Sequence, residues 1–256
     1  MVASDPRPLP VAAFFDIDKT LLNGASLLFL ARAARSLGIV SLRDLARFGW
    51  ETVQFRRRGE HLGVMEEVRD RGMQLLAGQS AARLHGLAGS VVRRMHPRLW
   101  PETKAVLRAH LAAGHEVWLV STTPDFLAAE LASSLGATGG IGSGLEIVDG
   151  LFTGRFTGPT MHGPEKANAA RALMLDRGFD PADCYAYSDS INDLPLLTAV
   201  GTAIAINPDK KLAAHAQAAG WRVLQLDPDS IRAERRRVRA AARSEGRGPA
   251  ADPSRL

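Results

Sequence analysis

The chain has 256 residues, 46% of them apolar, and a net charge of +5 from 32 basic and 27 acidic side chains. Such a length and apolar fraction suit one globular domain, or a core domain carrying an insert. A single cysteine, Cys184, excludes an internal disulfide and a cysteine-rich zinc site. No run approaches the length of a membrane span and no charged-then-apolar leader opens the sequence, so an intracellular, cytoplasmic protein is expected. The positive charge is concentrated at one end: residues 229–256 hold eight arginines against four acids, a net of +4. The body is close to neutral, and nucleic-acid binding is left only to a basic tail expected to be a fraying helix that passes into disorder.

In chain order, the Pro-rich residues 1–10 read as a loose end. An apolar run at 11–17 predicts a short buried strand. Apolar residues then recur at helical spacing over 26–37, 42–57, 62–77 and 80–95, with Gly38, Gly59 and Gly78 near the breaks, which predicts an all-helical insert ending at His96-Pro97. Pro101 starts a helix that stops at Gly114. Beyond it strands and helices alternate, the pattern of a parallel sheet: strand 116–120, helix 124–135, helix 164–177, strand 184–187 with Cys184 buried, helix 191–198, strand 202–206, helix 210–219 and strand 221–226. The glycine-rich segment 139–158 reads as an irregular excursion holding a small hairpin of 145–148 and 151–156.

Four spots beside strand ends carry the polar residues that could do chemistry. Asp16 and Asp18 follow the first strand, and two carboxylates converging past its end suit a hard cation. Ser121-Thr122-Thr123-Pro124 places hydroxyls and N–H groups where a strand meets a helix, which fits either a plain N-cap or a phosphate oxygen. Lys166 stands in the first turn of a helix, where a cation opposes the dipole; it reads as a solvated lysine or as the partner of a phosphate, and its being one of five lysines against 27 arginines weighs for the phosphate. Asp189, Asn192 and Asp193 follow the strand at 184–187, either as caps or as oxygen ligands of a divalent metal. The histidines include no pair at i, i+4 and read as core or surface residues. Arg56-Arg57-Arg58, near Trp50 and Phe55, reads as a solvated helix end or a face toward an anionic substrate.

Taken in this order, Asp16–Thr20, Ser121, Lys166 and Asp189 with Asn192-Asp193 resemble the four motifs of the haloacid dehalogenase superfamily. The insert after the first motif resembles a C1 helical cap, and residues 187–197 resemble the phosphoserine-phosphatase-like branch, subfamily IB. The resemblance implies a Rossmann-like α/β core over 11–24 and 97–228, a cap over 25–96 and a basic tail over 229–256. It implies an Mg²⁺-dependent phosphatase in which Asp16 is the nucleophile and Asp18 the general acid and base. Mg²⁺ is then held by Asp16, the Asp18 carbonyl and Asp189; Ser121, the Thr122 backbone, Lys166 and Asn192 hold the phosphoryl group, with Thr20 and Asp193 in support. The expected partner is a small phosphomonoester. The glutamate that pairs with the substrate ammonium in phosphoserine phosphatases falls here on Ala25, which argues against phosphoserine. A phosphotransferase or mutase, or a non-catalytic phosphate-binding regulator, is the alternative.

Overall fold

The computed structural model describes residues 10–44, 46 and 71–245. Its strands are β1 (Ala12–Phe15), β2 (Glu116–Pro124), β3 (Gly139–Ser143), β4 (Leu145–Val148), β5 (Leu151–Phe156), β6 (Tyr185–Ser188), β7 (Thr202–Ile206) and β8 (Arg222–Leu224). Its helices that lie wholly among the described residues are α1 (Ser26–Ala34), α2 (Ala81–His85), α3 (Ala88–Met95), α4 (Pro101–Ala112), α5 (Asp125–Leu135), α6 (Pro164–Arg177), α7 (Leu194–Leu197), α8 (Lys210–Ala218) and α9 (Pro228–Glu245).

Six strands form one sheet in the order β3-β2-β1-β6-β7-β8, every pairing parallel. Strands buried on both faces read as continuous apolar runs, and Ala12-Ala13-Phe14-Phe15 is buried throughout. Side chains alternate along a strand, so Ala13 and Phe15 join one core with Leu30, Val91, Leu107 and Leu127 from α1, α3, α4 and α5. Ala12 and Phe14 join the other with Ala170, Leu196 and Leu212 from α6, α7 and α8. The chain leaves β1 toward β2 on one side and returns through β6 on the other, so the strand order reverses between β1 and β6. Ligands of open α/β sheets bind outside the carboxyl ends of the strands at such a reversal, and this is where Asp16 and Asp189 emerge.

The glycine-rich segment differs from its expected irregular form. Residues 139–143 are the edge strand β3, paired in parallel with β2. A Cβ at Gly139 would stand 2.4 Å from the Trp118 ring, and one at Gly140 2.3 Å from the Ala128 carbonyl oxygen. The glycines are there because the strand lies against a ring and a helix backbone with no room for side chains. The following β4–β5 hairpin is antiparallel, as expected, and its β5 side bonds residues 78–81, with Phe152 N donating to Gln79 O at 2.9 Å and Ala81 N to Gly150 O at 3.0 Å.

Of the expected insert helices, 26–37 is α1 continued by a 3₁₀ turn, closed by Gly38 at φ 77°. The stretch 80–95 is two helices, broken at Gly86-Leu87, with the Ser80 side chain capping α2. Most of 42–57 and 62–77 lies outside the described residues, as do Arg56-Arg57-Arg58, the start of the chain and 246–256; residues 71–76 are helical. The basic stretch begins as the 18-residue helix α9, anchored by buried Ile231 and by Ser230 Oγ donating to Glu102 at 3.1 Å. No helix among the described residues is long and apolar enough to cross a membrane.

Candidate active site

Asp16 prolongs β1 by one residue, its N–H donating to the Tyr187 carbonyl of β6 at 3.0 Å. The chain then winds tightly: Leu22 N donates to Ile17 O at 2.8 Å and Lys19 N to Leu22 O at 2.8 Å, with Lys19 left-handed at φ 63°. This winding closes the first motif on itself just past β1.

Lys166, in the first turn of α6, reaches back across the sheet. Its Nζ donates to Asp16 Oδ1 at 2.6 Å and to Asp193 Oδ2 at 2.7 Å, and all three side chains are at most 6% exposed. The helix position that asked for an anionic partner has two carboxylates. Burial alone would push the Lys166 ammonium down, but the charges and hydrogen bonds of Asp16 and Asp193 hold it above the ordinary lysine value. Ser188 Oγ donates to the same Asp193 oxygen at 2.6 Å. Asp193 thus lies within the site, on a 3₁₀ turn of residues Ile191–Asp193 that precedes α7.

Asp18 turns toward the start of α1. Ser26 N donates to its Oδ1 at 2.8 Å and Ser26 Oγ to its Oδ2 at 3.1 Å. Burial raises the Asp18 carboxyl above its ordinary value, opposed by these two bonds. Burial raises Asp16 to about 7 against the pull of Lys166, and raises Asp189 to about 8 with a further push from the Asp16 charge. Asp189 accepts from Thr20 Oγ1 at 3.4 Å and pairs with Lys19 at 3.6 Å.

Ser121, Thr122 and Thr123 are the last residues of β2, which extends through Pro124, so they prolong a strand where a helix start was expected; α5 begins only at Asp125. Ser121 Oγ lies 3.0 Å from Thr123 Oγ1, which lies 2.5 Å from Ser26 Oγ. Thr122 Oγ1 donates to Met161 O, and Ser143 Oγ donates to Thr122 O while receiving Met161 N. These bonds tie the ends of β2 and β3 to the loop that delivers Lys166. The backbone carbonyl oxygen of Asn192 lies beside the start of α6, 3.4 Å from the point where a Cβ on Gly163 would stand. Thr123 was foreseen only within the hydroxyl stretch 121–124, as a cap or phosphate contact; Ser26, Ser188 and Asp209 were not foreseen. Asp209 Oδ2 accepts from Ile191 N and its N–H donates to Asp189 O, while its Oδ1 caps α8, so one aspartate fixes the loop carrying Asp189.

Among the described residues no three His, Cys, Asp or Glu side chains converge as a ready-made metal cage. Mg²⁺ does not need one: it is commonly held by one or two carboxylates and keeps several waters. Two buried carboxylates at the sheet reversal, Asp16 and Asp189, are hard oxygen donors, paired with Lys166 and Lys19, and burial raises the proton affinity of both. That donor chemistry fits Mg²⁺, and the Asp18 side chain is turned to Ser26.

The family model for haloacid dehalogenase-like hydrolases matches residues 13–198. The phosphoserine phosphatase SerB1 of Mycobacterium tuberculosis is 39% identical over 220 residues, 85% of this chain and 71% of that protein. A protein of unknown function from Bordetella pertussis Tohama I is 33% identical and superposes with a TM-score of 0.71 over 84% of this chain and 98% of that one. A substrate-bound phosphoserine phosphatase structure, 17% identical, shares the fold at a TM-score of 0.62 over 85% and 94% of the two chains.

Proposed function

Because the chain belongs to the haloacid dehalogenase-like hydrolases, we propose that it is an Mg²⁺-dependent phosphatase that cleaves small phosphomonoesters through an aspartyl-phosphate on Asp16. The observation that carries this reading is the buried Lys166, gripping Asp16 and Asp193 at once, with Asp18 two residues beyond Asp16. A carboxylate held so firmly is ready to attack, and a fixed ammonium beside it neutralises the phosphoryl oxygens that approach.

In the first step an Asp16 carboxylate oxygen bonds to phosphorus and the ester P–O bond breaks, while Asp18 gives its proton to the departing alkoxide. In the second, Asp18 takes a proton from water as that water attacks phosphorus, releasing phosphate and restoring Asp16. Mg²⁺, when held by Asp16, Asp189 and the Asp18 carbonyl, supplies positive charge that offsets the phosphoryl oxygens. Ser121, the Thr122 backbone, Lys166 and Asn192 hold those oxygens, Asp193 fixes Lys166, and Thr20 steadies Asp189. We assign residues 11–24 and 97–228 to this core, 25–96 to a cap that selects substrate and excludes water, and a cytoplasmic location to the whole.

The substrate is an alcohol phosphate without a positive charge. The relative named a phosphoserine phosphatase favours phosphoserine, but Ala25 at the start of α1 offers no carboxylate to a substrate ammonium. Leaving a buried cation without a partner costs several kcal/mol, orders of magnitude in affinity. The cap acids that could replace it, Glu66 and Glu67, lie outside the described residues. The test is a turnover screen of phosphomonoesters with and without Mg²⁺, for the wild type and Asp16→Asn. Turnover by Asp16→Asn above a trace would refute the nucleophile, and full activity in EDTA would refute the metal. Phosphoserine exceeding glycerol phosphate and sugar phosphates by about tenfold in kcat/KM would refute the substrate class. A phosphotransferase would show in the same screen as a phosphorylated alcohol in place of free phosphate.

A further inference from the structure

A hydroxyl has one hydrogen to give and two lone pairs to receive with, so a row of hydroxyls ending on a carboxylate has a fixed direction. Ser26 Oγ commits its hydrogen to Asp18 Oδ2. With no phosphoryl group in the site, the 2.5 Å contact between Ser26 and Thr123 is then donated by Thr123, and the 3.0 Å contact between Thr123 and Ser121 by Ser121, whose hydrogen turns to a phosphoryl oxygen when one is bound. Ser26, Thr123 and Ser121 are each at most 1% exposed, so water does not compete for these bonds. The row runs from the carboxyl end of β2 to the loop after β1 and joins two motifs far apart in sequence.

The backbone adds a second constraint. Helix α1 has Ala25 at its N-cap, which has no side chain to cap with. Asp18 Oδ1 fills that place by accepting from Ser26 N at 2.8 Å. Both Asp18 oxygens are therefore taken by one residue, which fixes the rotation of the carboxyl.

We propose that Ser26, backed by Thr123, is a positioning residue for the acid and base work of Asp18. The inference rests on the phosphatase reading above and deepens it. Ser26 is bonded to Asp18 and Thr123. It acts by holding Asp18 where it meets the leaving oxygen, and misplacing such a group by about 1 Å costs about 10²-fold.

The test separates positioning of an acid from general damage through the leaving group. Phenyl phosphate needs its leaving oxygen protonated, whereas p-nitrophenyl phosphate, almost the same shape, releases a stabilised phenolate. With Mg²⁺ present, Ser26→Ala is expected to lower kcat/KM for phenyl phosphate by about 10- to 100-fold and for p-nitrophenyl phosphate by about threefold or less. Thr123→Val, which removes the next hydroxyl and keeps the shape, is expected to show the same contrast more weakly, and it carries the test if Ser26→Ala does not fold. Thr123→Ser keeps the hydroxyl and is expected to retain the wild-type ratio between the two esters. Equal losses on both esters, or a Thr123→Ser ratio like that of Thr123→Val, would overturn the proposal. A wild type inert toward both esters in Mg²⁺ would overturn the phosphatase reading itself, and the role of Ser26 with it.

Discussion

Replacing Lys166 by methionine tests the centre of the site through stability rather than turnover. The ammonium lies 2.6 Å from Asp16 and 2.7 Å from Asp193, with all three side chains out of water. Breaking a buried ion pair from one side costs about 3–5 kcal/mol because the remaining charge has no partner. In a protein of this size each kcal/mol shifts the midpoint by about 2–4 °C, so Lys166→Met is expected to lower Tm by roughly 10 °C at pH 8. A solvated lysine would change stability by no more than about 1 kcal/mol. The loss should also depend on pH. Asp16, already raised by burial, can recover part of the cost by binding a proton once the ammonium is gone, so its folded-state pKa rises further above the unfolded value. A raised folded pKa means stability lost as pH rises. The variant should therefore fall below wild type by more at pH 8 than at pH 5.5. Differential scanning calorimetry in EDTA at the two pH values checks this. A drop under about 2 °C at pH 8, or a larger drop at pH 5.5, would refute the buried pairing.

Asp16 and Asp189 are raised from 3.8 to about 7 and about 8, so the metal-free protein is expected to lose stability between about pH 4 and pH 8, and Mg²⁺ should raise Tm more at pH 8 than at pH 5.5; an equal rise at both would count against these ligands. His110 has the opposite sign: burial and His115 push it down to about 4, so stability is held above its unfolded value of 6.5 and lost toward pH 4, on the order of 2 kcal/mol. In saturating Mg²⁺, His110→Phe should flatten that acid limb in calorimetry, and an unchanged slope would show that His110 does not create it. Gly140→Ala sets a Cβ 2.3 Å from the Ala128 carbonyl oxygen and should cost about 1–3 kcal/mol or more, read as a lower denaturant midpoint. Deleting residues 231–256 removes the buried Ile231, which should cost about 1.5–3 kcal/mol while leaving kcat/KM within a few-fold; a large activity loss at unchanged Tm would show that the tail reaches the site.

The parts of the fold legible in the sequence are those whose cause is local. β7 is Thr-Ala-Ile-Ala-Ile with its last four residues buried, an apolar run that can only be an inner strand. Pro164 and Gly178 bracket α6 as starting and stopping residues do. The edge strand β3 was not legible for the converse reason. Its glycines are required by the Trp118 ring and the backbone of α5, neighbours that no pattern within 139–143 announces, and glycine out of context signals a loop.

The same distinction runs through the site. Asp16, Ser121 and Asp189 each stand at a strand's carboxyl end, so polar residues closing an apolar run marked each of them separately, and the sheet's order brought them together. Lys166 could be singled out because its place on α6 is unfavourable unless something anionic meets it, and the anions proved to be carboxylates of the protein itself. Ser26, Thr123 and Asp209 sit where serine, threonine and aspartate are ordinary, at helix starts and strand ends, and only their second bonds are unusual. Asp209 caps α8 with one oxygen, as its position foretells, and holds Ile191 N with the other. A residue whose local role is already satisfied leaves no anomaly in the sequence. The groups that steady the site are therefore found only when the strands that carry them are placed side by side.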